Sequence, residues 1–89
     1  MVGNDDCVAI FNSIHRVMKA EKILKGLRLP IMLIPVPRSL ASDCGLAILY
    51  AAGVRKDVEE ALAAEALFPE EIYVKKGDSY RRVPAFPNG

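Results

Sequence analysis

Tryptophan is absent from this chain, histidine occurs once and cysteine twice, and no long apolar run is present. Each scarcity removes a class of function. The longest apolar stretch, Leu29 to Val36, falls far short of the roughly 20 residues a membrane-spanning helix needs, and Pro30 and Pro35 interrupt it. No membrane span is expected. With one histidine, two cysteines and no metal-ligand spacing, a closed zinc site would need carboxylates or a second subunit, so neither a metal nor a cofactor is expected. The polar, acidic start from Met1 to Asp6 has no signal-peptide pattern. The two cysteines therefore suit a reducing cytoplasm better than a structural disulfide. Twelve Lys and Arg against eleven Asp and Glu leave a net charge of +1, which gives no electrostatic footprint for nucleic acid.

What is present fits one small domain. Eighty-nine residues have room for a single core, assigned here to 1–83, with 84–89 a loose tail. A hydrophobic content of 52% and a mean hydropathy of +0.19 are high for a small monomer with a polar surface, and point to a buried interface.

Taken in order, Cys7 to Phe11 is a short apolar run suited to a buried first strand. Asn12-Ser13 offers two N-caps, and Ile14, Val17, Met18, Leu24 and Leu27 recur at helical spacing up to a fraying end at Gly26. Leu29 to Val36 reads as a second strand, and its prolines confine it to a sheet edge. Gly45 to Ala51 reads as a third strand. Val54 to Leu67 forms a second amphipathic helix closed by Pro69, and Ile72 to Lys75 a fourth strand. The Lys76-Gly77-Asp78-Ser79 turn followed by Tyr80 to Val83 suits a terminal hairpin.

Strand, helix, strand, strand, helix, strand is the ferredoxin-like split βαβ pattern (βαββαβ). It is an α+β fold with two helices on one face of an antiparallel sheet. The three central strands carry apolar residues on both pleat faces, yet the helices cover only one. A homo-oligomer through the open sheet face is therefore expected.

The stretch from Ile31 to Gly45 holds nearly everything that is not ordinary core. Its Cys44 has the character of a nucleophile or sulfur carrier, because the thiolate is the reactive form and a nearby cation or helix N-terminus favours it. Arg38 is the cation in that loop. The topology brings Cys44, Arg38 and the Ser13-Ile14-His15 helix start to one corner of the sheet. His15 is an acid-base candidate for a thiol hydrolase, or simply a helix surface residue. Gly45 either permits an unusual dihedral or only starts the strand, and Asp43 opposes thiolate formation. Cys7, several strand rises of about 3.3 Å away, is expected to be core and not to pair with Cys44.

The chain resembles a family of short bacterial and archaeal proteins described as selenium/sulfur carrier protein-like. The resemblance runs over Phe11 with Ser13, Ala20-Glu21 followed by Leu24, Pro35-Val36-Pro37-Arg38, Ser42, Cys44-Gly45, and Ile72-Tyr73. Pro-x-Pro-Arg followed by Ser-x-Cys-Gly is its specific part. Ala41 stands where the pattern commonly has a second small polar residue, which removes any hydroxyl assistance from that position. The resemblance implies a carrier more than a turnover enzyme. Cys44 would hold a persulfide or selenopersulfide received from a donor such as a cysteine desulfurase and passed to an acceptor protein. Arg38, Ser42, Gly45, Ser13 and His15 would bind or stabilise the anion. One cysteine suffices for such a relay. The alternative is an interaction or assembly module using the open sheet face, with Cys44 incidental.

Overall fold

The computed structural model describes residues 2–40 and 44–84. Strand β1 is Cys7–Ile10, helix α1 Ile14–Gly26, β2 Ile31–Pro35, β3 Leu46–Tyr50, α2 Arg55–Ala64, β4 Glu71–Lys76 and β5 Ser79–Val83. The sheet order is β2-β3-β1-β4-β5 and every pairing is antiparallel. This is the expected ferredoxin-like arrangement extended by the β4–β5 hairpin. The proline-bearing β2 occupies an edge, where a missing ladder donor costs least.

Helix α1 begins where the cap chemistry places it. Ser13 sits in extended conformation and its side chain accepts a hydrogen bond from the Arg16 amide at 3.2 Å. Its end falls at Gly26 as expected, but the glycine does not take the left-handed turn. Gly26 is the last helical residue, and the left-handed position is taken by Arg28 (φ 61°), with Arg28 N–H donating to Lys25 and Leu29 N–H to Leu24. Helix α2 stops the same way at Ala66 (φ 54°), and a 3-10 turn, Ala52–Val54, precedes it, so both its ends fall inside the expected span.

Alternation along the strands divides the apolar residues into two layers. Cys7, Ala9, Phe11, Ile48, Tyr50, Ile72 and Val74 meet Val17, Ala20 and Leu24 of α1 and Val58 and Leu62 of α2 in the main core. The contact stripe of α1 is narrower than its apolar periodicity suggests. Ile14, Met18 and Leu27 remain 41%, 43% and 59% exposed, because Ala20 lets the helix settle with the Val17–Leu24 line against the sheet.

On the other face Val8, Ile10, Ile34, Ala47 and Leu49 are also buried, within the single chain. Val2, Val36, Leu40, Tyr73 and Tyr80 pack over them. The apolar alternation on that face is thus satisfied by the N-terminal segment, the β2–β3 loop and the hairpin, without requiring a second copy; Met32 on the edge strand stays 53% exposed. Among the described residues no helix is long and apolar enough to cross a membrane.

Candidate functional site

The end of β1, the start of α1, the end of β2 and the start of β3 meet at one corner of the sheet. Antiparallel pairing requires it: Ile10 lies opposite Ala47, and Pro35 opposite Leu46. Cys44 precedes β3 by two residues. Its Sγ–H points at two backbone carbonyls, Leu46 at 3.2 Å and Phe11 at 3.5 Å, and its side chain packs against the rim of the main core. The thiol is half-buried and lies at the β1–α1 junction, two residues upstream of the Ser13 cap.

Gly45 sets that orientation. Its φ of +75° is in the left-handed region, and the Val36 amide donates to its carbonyl at 3.0 Å, tying the loop across the edge pair. The first turn of α1 carries no acidic residue. That turn keeps the positive character of a helix N-terminus and begins three residues after Phe11, with the Arg16 N–H held by Ser13. His15 is exposed on that turn.

Arg38 is exposed on a turn closed by the Leu40 amide donating to Pro37 at 2.9 Å. The neighbours of Arg38 on that turn, Val36 and Leu40, pack on the open face, whereas Cys44 packs on the helix side. The fold therefore brings Cys44, Gly45 and Ser13 together and holds the Arg38 turn across the sheet edge from them. Ser42, with Ala41 and Asp43, lies outside the described residues.

Sequence reasoning missed the Phe11 and Leu46 carbonyls, since a backbone acceptor leaves no residue signature and becomes visible only in the strand register. Cys7 is 1% exposed at the opposite end of β1, where burial pushes its thiol pKa up. Among the described residues there is no group of three or more His, Cys, Asp or Glu side chains able to hold a metal ion.

A family model described as "Putative Se/S carrier protein-like" matches residues 6–74, which takes in every helix and the first three strands, and most of the fourth. The chain belongs to this family. The match spans the Cys44 corner whole, from the end of β1 through the β2–β3 loop. No curated protein and no solved structure gave a significant match. The Se/S carrier-like assignment thus rests on the family model and on the residues of the loop.

Proposed function

We propose that this protein carries sulfur or selenium on Cys44 as a persulfide or selenopersulfide, receiving it from a donor such as a cysteine desulfurase and passing it to an acceptor protein. The observation that carries this reading is the position of the half-buried Cys44 thiol at the β1–α1 junction, in a member of the Se/S carrier-like family.

The transfer is isoelectronic. The Cys44 thiol loses its proton to solvent, and the thiolate attacks the terminal sulfur of the donor's persulfide. A new S–S bond forms at Cys44, the donor's S–S bond breaks, and the donor departs as a thiolate that takes up a proton. No external oxidant or reductant is needed. At rest, the Leu46 and Phe11 carbonyls accept from the S–H and hold it in place. Loading moves the charge outward by one S–S bond, about 2 Å, toward the acid-free first turn of α1. There the helix end, with Ser13 keeping it wound and His15 on its first turn, favours the anion.

The donor and the acceptor dock beside α1. Ile14 and Met18 are exposed one turn apart next to the corner, and Lys19 and Lys22 flank them on the solvent side. A carrier of this kind works in a reducing cytoplasm, where thiols stay available for loading.

The test is mass spectrometry after incubation with a cysteine desulfurase and cysteine, and separately with polysulfide. Wild type and Cys7→Ala gain reductant-labile sulfur, whereas Cys44→Ala does not. Equal loading of Cys44→Ala and wild type sinks the reading.

A second reading, self-assembly through the sheet, is favoured by the 53% exposure of Met32 on the edge strand β2. Sedimentation of wild type and Met32→Glu decides it, since an assembly built on that edge dissociates in the variant and a monomeric wild type ends the idea.

A further inference from the structure

A second candidate site lies at the end of the sheet farthest from Cys44, where β1 begins, β3 ends, α2 begins and the β4–β5 hairpin turns. An open cleft of about 360 Å³ is found there. Cys7 forms its floor, Val74 and Val83 its walls, and Arg55, Lys76, Arg81 and Asp5 its charged rim. Three cations face one carboxylate.

These cations are only partly used. Arg55 commits its Nε to Glu59, and its four Nη–H bonds have no partner among the described residues. Lys76 pairs with Asp5, whose side chain is 53% exposed and can swing away at little cost. Arg81 has no hydrogen bond or ion pair among the described residues.

Behind the floor lies an unsatisfied donor. Tyr50 is the ladder partner of Cys7, on the same face of the sheet; it is 1% exposed, does not line the cleft, and its hydroxyl has no hydrogen-bond partner among the described residues. A buried hydroxyl left without a partner is uncommon in folded proteins and calls for an explanation. Burial raises its pKa, with smaller contributions from the charges of Cys7, Glu59 and Arg55.

We propose that this cleft binds a small doubly charged oxyanion of the phosphate type, free or as a phosphomonoester. Two guanidinium groups each present parallel N–H pairs that match adjacent oxygens, and an ammonium adds a third contact. A group with several charged oxygens engages all three cations at once and displaces the exposed Asp5 from Lys76. The walls of Val74 and Val83 leave room for the organic remainder of an ester. This site is separate from the Cys44 corner and does not depend on the carrier reading.

The experiment is a titration of the isotope-labelled protein with inorganic phosphate, and in parallel with glycerol phosphate, at constant ionic strength maintained with chloride, followed by amide chemical shifts. Saturable shifts at Cys7, Arg55 and Arg81 are expected, about tenfold weaker binding in Arg81→Gln and in Arg55→Gln, and unchanged binding in Arg38→Gln at the other end. Tighter binding of the ester assigns the physiological ligand to that form, and equal or weaker binding assigns it to the free ion. Non-saturating shifts for both probes, or affinities unchanged in both arginine variants, would overturn the proposal.

Discussion

Gly45→Ala separates the two roles a glycine can play beside a reactive thiol. A Cβ built at this position meets nothing within 4 Å among the described residues beyond its chain neighbours, so the cost worked here is that of the backbone, held at φ +75°. Left-handed conformation costs an L-residue with a Cβ roughly 1–2 kcal/mol. For a domain of this size each kcal/mol lowers the melting temperature by roughly 4–8 °C. Gly26→Ala is the internal control. It also has open space around its Cβ, but it lies at the end of α1 without a positive φ. Alanine there improves helix propensity and is expected to raise stability by up to about 1 kcal/mol. Thermal and urea unfolding of the two variants should therefore move in opposite directions. Gly45→Ala should also alkylate faster at Cys44, because relaxing the turn swings Sγ away from the Leu46 and Phe11 carbonyls. If Gly45→Ala is as stable as wild type, or if both variants shift the same way, the reasoning from φ fails.

Other perturbations probe the same structure. Leu62→Ala empties a fully buried position of the main core and should cost about 2–5 kcal/mol in urea unfolding, whereas Met18→Ala should stay within about 0.5 kcal/mol. Ser13→Ala removes the bond to the Arg16 amide, for about 1 kcal/mol of stability and slower persulfide loading at Cys44; a stability loss with loading unchanged would detach the helix end from the chemistry. Iodoacetamide should label Cys44 well before Cys7, and mass spectrometry of a time course reads the order directly. Stability should fall as pH rises above the ordinary thiol range. Burial raises the Cys7 and Tyr50 pKa values in the folded state, so the unfolded chain loses those protons first and unfolding is favoured by up to about 1.4 kcal/mol per pH unit for each group. Below pH 8 that stabilisation is complete. In Tyr50→Phe the part of the loss beginning near pH 10 should vanish, and urea midpoints from pH 7 to 11 that match those of wild type would contradict it.

The chain itself determined the order of its elements and most of their positions. Periodicity, the Ser13 cap and the prolines of β2 are local properties, and local properties fix where a helix starts and which strand can tolerate an edge. That Cys7 is core and Cys44 less buried was also legible, since one sits inside an apolar run and the other follows a polar loop. Tertiary structure decided the rest. Whether Ile14 and Met18 are core or surface depends on how far α1 rolls onto the sheet, which Ala20 permits and no spacing reveals. The apolar open face suggested a second copy, because alternation records that a face is buried but not what buries it; Val2, Val36, Leu40, Tyr73 and Tyr80 do so from within the chain. The acceptors of the Cys44 thiol, the side of the sheet edge on which the Arg38 turn packs, and the meeting of Cys7, Arg55 and Arg81 around one cleft all depend on strand register and on packing between residues distant in sequence. Those are long-range relations, and they exist only once the sheet has closed.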